Sequence, residues 1–337
     1  PTAVLTPQEI EFLLEIIREM RRKGKTIILI THKLEEIKKV ADRCAILCRG
    51  KLVDVCSVAD TSTKEMAARM VGREVSFELE KEPAKFGKPV LQVENLTVKN
   101  DDGFTVVNDV SFSVRQGEIF AIAGVAGNGQ VEIADAVAGL LPAAGGTIKL
   151  AGQDITRASV RARSEQGLAY IPEDRQARGL ILDFTLSENL LLKRYYQQPY
   201  CVKNVLHRDK FDEKSRDLIQ RFDIRSGQEE ATIVRSMSGG NQQKAIVARE
   251  IELDAPCIVF VQPTRGLDIG AIEHIHEQIL AERSKGKAIL LISLELDEIM
   301  NLADTIGVIY NGQLLKTAPA DSLTTNEVGQ FMMGVKE

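Results

Sequence analysis

The stretch SMSGGNQQK at residues 236–244 runs directly into AIVAREIEL, an apolar pattern typical of a helix. Ser238 is the expected N-cap, and Gly239 and Gly240 leave the start of the helix open to a ligand. A bare helix N-terminus carries a partial positive charge and unpaired N–H groups, which suits contact with a phosphate. The alternative is that the glycines only mark the start of a helix. The length of the string, which includes Gln242, favours a phosphate-binding site.

Downstream, the apolar run IVFV at residues 258–261 is followed by QPTRGLD, which ends at Asp268. A phosphate-hydrolysing site needs an aspartate at such a strand end for Mg²⁺ and an acidic neighbour for the attacking water. Val261 and Gln262 hold these two positions. Glutamine can orient a water molecule but cannot accept its proton, so the sequence predicts a site weak in hydrolysis.

Upstream, a glycine-rich loop follows the apolar strand IFAIA (residues 119–123) and precedes a helical pattern. Strand, glycine loop and helix form the P-loop context, in which backbone N–H groups cradle phosphates. The residues predicted to do so are Gly124, Gly127, Asn128, Gly129 and Gln130. A full P-loop has lysine and then serine or threonine where this chain has Gln130 and Val131. A tight turn that binds nothing is the alternative.

An internal repeat organises the chain. GKTIILITHKLEEIKKVADRC starts at Gly24, and GKAILLISLELDEIMNLADTI starts at Gly286, which is an offset of 262 residues. The same offset carries residues 1–2 onto residues 263–264, so residues 1–75 repeat residues 263 onward. Because the second copy is preceded by a strand and most of a domain, we expect the first copy to be the end of a longer domain.

Alternating strands and helices predict an α/β fold with a parallel sheet covered by helices. Residues 6–24 are predicted as a helix with Thr6 as N-cap, Glu9 completing a capping box and Gly24 as its stop. Residues 26–30 and 288–292 are predicted as buried parallel strands. We expect a first-domain remnant at 1–75, a linker at 76–89 and a second domain at 90–337 that opens with antiparallel strands.

His32 follows the predicted strand of the first copy and maps onto Leu294 of the second. A histidine at a strand end is often only a satisfied core or surface residue. Here the position is that of a sensor for a terminal phosphate, which favours a functional role for His32.

The composition excludes some functions. Charged residues make up 27% of the chain with a net charge of −5, so no basic field indicates nucleic acid. No apolar run approaches the roughly 18–20 residues that span a bilayer, and no signal peptide is visible. A membrane role would therefore need a partner. The five cysteines show no zinc spacing and are expected to act as small hydrophobic residues in a reducing compartment.

Taken together, these strings resemble an ATP-binding-cassette (ABC) ATPase with a degenerate Walker A loop, an intact signature (SGGNQ), a degenerate Walker B strand and a D-loop (GLD). SGGNQQK, PTRGLD and PEDR (residues 172–175) resemble the two-cassette ATPases of bacterial simple-sugar and nucleoside importers. The nucleoside, basic-membrane-protein-associated branch is the more similar. The resemblance implies a P-loop NTPase cassette with a parallel core sheet, an antiparallel β subdomain and a helical signature subdomain.

In that family two cassettes pair head to tail around two ATP molecules. The resemblance implies that His32, Asp268 and the intact signature serve the first cassette's site, where Mg²⁺ is mainly expected. The other site would combine Gln130, Val131, Gln262 and Leu294 and would not hydrolyse ATP, at a loss on the order of 10³-fold. This chain alone is expected to be inactive.

The resemblance also implies partners. Residues 172–179 would touch the coupling helix of transmembrane permease subunits, through Glu173, Asp174 and Arg175. An extracytoplasmic solute-binding protein would take part indirectly, and the chain would lie peripherally on the cytoplasmic face of the membrane. Two alternatives stay open: a soluble, non-transport ABC protein acting on ribosomes or DNA, and a catalytically silent scaffold.

Overall fold

The computed structural model describes residues 7–31, 33–48, 50–72, 81–83, 85–100 and 102–335. The chain divides into two compact units. Unit 1 comprises residues 1–78 and 264–274, and unit 2 comprises residues 79–263 and 275–337. The predicted division at residues 76–89 remains a proposal about domains.

Unit 1 is a small α/β unit built around a hairpin. Its elements are α1 (Pro7–Arg22), α2 (Leu34–Val40), β1 (Arg43–Cys48), β2 (Lys51–Ser57) and α3 (Thr63–Val71). β1 and β2 pair antiparallel, α3 packs against the hairpin, and α2 lies between α3 and α1. The apolar core of the unit consists of Leu34, Ile37, Ile46, Val58, Met66 and Ala67. Two polar residues of unit 1, Glu36 and Thr61, are buried as well. In α1, Leu14 is buried, with 1% of its surface exposed.

The strand predicted at residues 26–30 is wrong. The structure places this segment outside any strand, and Ile28 and Ile30 are 89% and 86% exposed. Its equivalent in the second copy, residues 288–292, is confirmed as a buried strand with a parallel neighbour on each side. Within the described residues, unit 1 offers residues 26–30 no such neighbours. An apolar β-branched run forms a strand only where another strand accepts its hydrogen bonds.

Unit 2 contains the remaining elements in chain order. They are β3 (Pro89–Lys99), β4 (Thr105–Arg115), β5 (Ile119–Ala123), α4 (Gln130–Ala138), β6 (Ala143–Leu150), β7 (Gln153–Asp154), α5 (Val160–Glu165), β8 (Leu168–Ile171), α6 (Leu186–Leu190), β9 (Cys201–Val202), β10 (Val205–Leu206), α7 (Arg208–Arg221), α8 (Gly239–Ile251), β11 (Cys257–Val261), α9 (Ile269–Ser284, whose first residues belong to unit 1), β12 (Ala288–Ser293), α10 (Leu296–Leu302), β13 (Thr305–Tyr310), β14 (Gln313–Pro319) and α11 (Thr325–Met332).

Two sheets form the core of unit 2. The larger has the strand order β14-β13-β5-β12-β11-β8, and only β14 runs antiparallel to its neighbour. The smaller is antiparallel, in the order β4-β3-β6-β7, as predicted for the start of the second domain. One continuous apolar cluster joins residues of both sheets with helix α4. The predicted parallel sheet with helices is therefore confirmed.

The internal repeat is confirmed at the level of structure. The bounds of α1, α2 and β1 reappear 262 residues later in α9, α10 and β13. The hairpin bulge between Ile46 and Leu47 recurs between Val308 and Ile309. Both copies end in a helix that begins with a capping box, at Ser62 and at Thr324. Across the described residues, no helix has the length and apolarity to cross a membrane.

Candidate functional site

Three of the predicted site segments meet at one edge of the larger sheet. β5, β12 and β11 are adjacent and parallel, with Ala123 opposite Ser293 and Ile292 opposite Val261. The glycine loop follows β5, Leu294 follows β12 and Gln262 follows β11. The carboxyl edge of a parallel sheet is where α/β proteins bind their ligands. The sequence strings therefore converge on a single candidate site.

The glycine loop at residues 124–129 is compact because glycines occupy positions that other residues cannot. Gly129 is the N-cap of α4 at φ +101°, and a Cβ there would lie 2.5 Å from the carbonyl oxygen of Val106. A Cβ at Gly124 would lie 2.6 Å from Ile309 Cγ2. Gly127 also has a positive φ, +86°. The loop brings backbone to the start of a nine-residue helix, which is the arrangement that holds phosphate.

Asn128 supports this loop from within. Its backbone carbonyl accepts the N–H of Gly312 at 3.1 Å, and its Oδ1 accepts the N–H of Asn311 at 3.0 Å. The turn between β13 and β14 is thereby tied to the glycine loop. Asn128 is a positioning residue in this structure.

Gln130 lies where a P-loop lysine would be, and its side chain is turned back onto the loop. It is 1% exposed, and its Nε2 donates to the carbonyl oxygens of Gly124 at 3.1 Å and Val125 at 2.9 Å. Its Oε1 is buried and has no hydrogen-bond partner among the described residues. The amide thus holds the loop closed without placing a positive charge in it.

The residues present do not fit a magnesium ion. Val131 has no hydroxyl group and packs against the apolar cluster. Val261 is fully buried, and the backbone of Gln262 is held by its N–H donating to Ile292 at 2.7 Å. Magnesium requires oxygen ligands, mainly carboxylate, hydroxyl or phosphate. The site can therefore hold phosphate through backbone N–H groups but supplies neither a metal ligand nor a base.

The segment after β12 forms a turn that both copies share. Ser293 Oγ accepts the N–H of Glu295 at 3.0 Å, and Thr31 Oγ1 accepts the N–H of Lys33 at 3.1 Å. Leu294 lies inside the turn of the second copy. Its counterpart His32, a predicted site residue, lies outside the described residues.

The signature segment, residues 238–242, begins helix α8. Ser238 is the N-cap residue as predicted, but within the described chain its hydroxyl makes no capping bond and instead accepts from Asn241 Nδ2 at 2.9 Å. Because no side chain caps them, the first N–H groups of this 13-residue helix remain open for a ligand. Gly239 and Gly240 are partly exposed beside them.

Gln242 is buried and fixes the helix to its surroundings. Its Nε2 donates to the carbonyl of Val234 at 3.0 Å, and its Oε1 accepts from Gln176 at 3.1 Å. Gln176 belongs to the turn after PEDR, at Arg175–Gly179. The signature helix and this turn are therefore directly joined.

The turn Arg175–Gly179 is shaped by its first residues. Asp174 Oδ1 accepts the N–H groups of Gln176 and Ala177, both at 2.9 Å, so its carboxylate caps the turn. Arg175 lies over the signature, since a Cβ at Gly239 would be 2.9 Å from its Nη2. Glu173, the third residue predicted for partner contact, is half-buried just before the turn.

Sequence reasoning missed a network on the other side of this turn. Arg178 Nη1 donates to Asp135 Oδ2 at 2.6 Å, and Tyr170 Oη donates to Asp135 Oδ1 at 2.6 Å. Burial, together with the Asp135 carboxylate, raises the pKa of Tyr170, so the phenol stays protonated as a donor. Asp135 belongs to α4, the helix that follows the glycine loop. No sequence signal pairs residues that are 43 positions apart.

A cavity of about 450 Å³ opens beside this network. Its apolar lining includes Leu140, Leu141 and Val160, and cationic side chains lie among them. Arg178, Lys193 and Arg249 all line the cavity, whereas Asp135 is the one carboxylate among the described lining residues. The cavity is therefore an apolar recess with a positive balance of charge.

Asp268, the predicted D-loop residue, belongs to unit 1. Its Oδ1 accepts the N–H of Ala271 at 2.9 Å, so the exposed carboxylate caps the start of α9. The structure thus gives Asp268 a local role in ending the loop, and its assignment to a nucleotide site remains a proposal.

Comparison with known proteins reveals close relatives. Residues 107–265 match the family model for ABC transporters. The chain is 47% identical to the guanosine import ATP-binding protein of Bacillus subtilis, over 99% of this chain and 65% of that protein. It is 45% identical to the nucleoside import ATP-binding protein of Lactococcus lactis, over 99% of this chain and 66% of that protein. The chain thus spans slightly less than two thirds of the length of these relatives.

Solved structures show the same fold. A nucleotide-free ATP-binding cassette from an ABC transporter superimposes with a TM-score of 0.61 at 22% identity, over 74% of this chain and 100% of that chain. At this identity the likeness concerns the fold and not the substrate.

Proposed function

This chain belongs to the ABC transporter ATP-binding family, and on that premise we propose that it is part of the ATPase subunit of an importer for nucleosides or simple sugars. Two of its relatives are named for the import of guanosine and of nucleosides, which supports a nucleoside as the transported solute. ATP binding would close a pair of cassettes, and closure would drive a permease in the membrane. On this proposal the chain acts peripherally at the cytoplasmic face.

The proposal rests mainly on the glycine loop, which lacks the lysine and the hydroxyl residue that usually follow such a loop. The loop offers backbone N–H groups and a helix N-terminus, and Gln130 stands in the lysine position. Val131 and Gln262 supply neither a metal ligand nor a base. We propose that this site holds a nucleotide and does not hydrolyse it. The chain's own residues would bind and orient the phosphates, whereas hydrolysis belongs to the other site of the cassette pair.

The open signature supports a role in that other site. The first turn of α8 has uncapped N–H groups and partly exposed glycines, so it can approach the terminal phosphate of a nucleotide held elsewhere. We propose that Ser238, Gly239 and Gly240 complete the site whose remaining parts include His32 and Asp268. Magnesium, which members of this family use with ATP, would be held there.

The turn Arg175–Gly179 supports a role in coupling to the permease. It contacts the signature helix through Gln176 and the loop helix α4 through Arg178. The cationic, apolar cavity lies beside Arg178 and can receive an apolar helix that carries a carboxylate. We propose this face, with Glu173, Asp174 and Arg175, as the contact to the transmembrane partner. A solute-binding protein would act on the outer side of the permease.

Isothermal titration calorimetry tests the nucleotide-holding role. We expect this chain to bind ATP with the same affinity in Mg²⁺ and in EDTA, because no protein group holds the metal. Gly129→Ala should abolish binding, since the new Cβ would lie 2.5 Å from the carbonyl oxygen of Val106 and would force the loop out of place. Gly152→Ala is the matched control: its φ is +83°, and no described heavy atom lies within 4 Å of a Cβ there.

Two outcomes would contradict the proposal. If wild-type chain binds no ATP, the glycine loop is only a strand–helix turn and this half contributes its signature alone. If the chain releases phosphate from ATP and Gly129→Ala stops the release, the site is hydrolytic. The signature role is tested separately in the full-length subunit, where Ser238→Arg should abolish ATP turnover.

A further inference from the structure

Two cysteines face each other across the hairpin of unit 1. Cys44 in β1 and Cys56 in β2 are direct partners in the antiparallel register. Both carry free thiols and both are half-buried. This pairing cannot be read from their spacing, because it depends on the register of the hairpin and on the bulge near its end.

The backbone spacing at this pair suits a covalent bond. The N–H of Val58 donates to the carbonyl of Asp42 at 3.1 Å. Hydrogen-bonded pairs alternate along an antiparallel ladder, so Cys44 and Cys56, two positions further in, also form such a pair. Their Cα atoms are then about 5.5 Å apart, within the range of roughly 4.4–6.8 Å that a disulfide spans.

The two side chains share one environment. Cys44 and Cys56 point to the same face and pack against the apolar cluster of unit 1. Burial, followed by the neighbouring Cys56, raises the pKa of Cys44.

Packing alone does not require cysteine at these positions. The equivalent pair of the second copy is Ile306 and Ala318, which are also direct partners in their hairpin. An aliphatic pair therefore fills the same place in the same local fold. The thiols of the first copy add a chemistry that the second copy lacks.

We propose that Cys44 and Cys56 are a thiol oxidation site that forms a reversible disulfide within the hairpin. The oxidant is a low-molecular-weight disulfide such as oxidised glutathione. One thiolate attacks it and releases one glutathione thiolate, and the second cysteine thiolate then displaces the other. The sulfur–sulfur bond of the oxidant breaks, one forms in the protein, and both thiol protons pass to water or to the released thiolates.

The other three cysteines do not share this arrangement. Cys48 lies on the same face of β1, but its register partner is Lys51. Cys201 is opposite Leu206. Cys257 is fully buried in β11, where burial raises the pKa of its thiol to about 12, so it has almost no reactive thiolate.

Thiol counting with mass spectrometry tests the proposal on the whole 337-residue chain. After exposure of the folded, reduced chain to oxidised glutathione, we expect the free thiols to fall from five to three. Trypsin should then yield one disulfide-linked pair of peptides, residues 44–49 and residues 52–64. Dithiothreitol should restore all five thiols. Oxidation should become faster as pH rises, because the thiolate is the attacking species.

Matched variants separate this bond from its neighbours. Cys48→Ser should leave the linked peptides intact, which also removes the ambiguity that Cys44 and Cys48 share one tryptic peptide. Cys56→Ala should yield no linked peptides, and any oxidation of Cys44 should stop at its mixed disulfide with glutathione, because the second thiolate is missing. The proposal fails if wild-type chain keeps five thiols, if the link is lost in Cys48→Ser, or if oxidation yields only linked dimers of the chain.

Discussion

Arg178 and Asp135 form an ion pair at 2.6 Å that joins the turn after PEDR to the helix after the glycine loop. Asp135 is buried, whereas the Arg178 side chain is 54% exposed. The same turn reaches the signature helix through Gln176. One short segment therefore touches both elements that would bind nucleotide. A shift of either helix must move the surface that the turn presents.

Arg178→Met should lower the free energy of unfolding by about 1–2 kcal/mol, since Asp135 would keep only Tyr170 as partner. Tyr170→Phe should cost a similar amount, and the double variant should differ from the sum because both act on one carboxylate. Urea unfolding measures all three. Arg235→Met, which breaks the exposed pair with Asp183, should leave the free energy of unfolding nearly unchanged.

The repeat supplies a second matched comparison. Arg283 and Asp304 pair at 2.8 Å with side chains 4% and 5% exposed, whereas Arg21 and Asp42, 262 residues earlier, pair at 56% and 64% exposure. Arg283→Met should cost about 3 kcal/mol, because it leaves a buried carboxylate undercompensated. Arg21→Met should cost about 0–1 kcal/mol in the same urea experiment. Equal losses in the free energy of unfolding would show that burial does not determine how much this ion pair contributes to stability.

Within the glycine loop, Gly129→Ala and Gly127→Ala should differ. Gly129→Ala forces a Cβ to 2.5 Å from Val106 O, so we expect a loss of several kcal/mol. At Gly127 no described heavy atom lies within 4 Å of a new Cβ, so only the left-handed backbone costs energy, about 1–2 kcal/mol. Thermal and urea unfolding provide the measurement, and a loss at Gly127 equal to that at Gly129 would contradict the clash.

Sequence reasoning succeeded where the determinant was local or repeated. The glycine loop, the signature helix and the repeat at an offset of 262 residues all follow from the local order of residues. Rules for caps, turns and periodicity apply to such local order directly. One replacement within the repeat is explained only by the structure: Thr305 stands where the first copy has Arg43, and its hydroxyl donates to the buried Glu118 at 2.7 Å. The threonine thus supplies a hydrogen-bond donor to the buried carboxylate of Glu118.

Sequence reasoning failed where the outcome depends on distant partners. Residues 26–30 have the composition of a strand, but a strand needs neighbours that supply hydrogen bonds. Ser238 has the chemistry of a cap, yet Asn241 competes for its hydroxyl. The pair Arg178–Asp135 depends on tertiary structure, and the pair Cys44–Cys56 depends on strand register. Neither can be predicted from residue types alone.

Restoring the usual P-loop residues should restore metal dependence. Gln130→Lys places a cation where Nε2 now contacts two loop carbonyls, so ATP binding should tighten by about tenfold or more. Adding Val131→Thr supplies a metal ligand, and only this double variant should bind ATP more tightly in Mg²⁺ than in EDTA. Calorimetry provides both affinities. A magnesium effect in wild-type chain would contradict the absence of a metal ligand.

Because of the buried Glu250, the free energy of unfolding should depend on pH in the acidic range. Burial raises its pKa, but Lys193 at 2.6 Å and Arg249 at 2.9 Å outweigh burial, so the pKa lies below the ordinary 4.5. A carboxyl whose pKa is lowered by folding adds stability above its unfolded pKa and loses that stability as pH falls through the folded value. The contribution of Glu250 is therefore complete at pH 7 and should decline below about pH 4.5.

Glu250→Gln isolates this contribution. At pH 7 the variant should lose about 2–4 kcal/mol, because two cationic groups lose their buried counter-charge. The difference from wild type should shrink as the pH falls from 5 towards 3, since wild type then protonates the same carboxyl. Urea unfolding across this range measures the difference, and Glu94→Gln, at an exposed pair with Lys149, is the control with a much smaller effect. A difference that stays constant with pH would mean that Glu250 contributes shape and hydrogen bonds rather than charge.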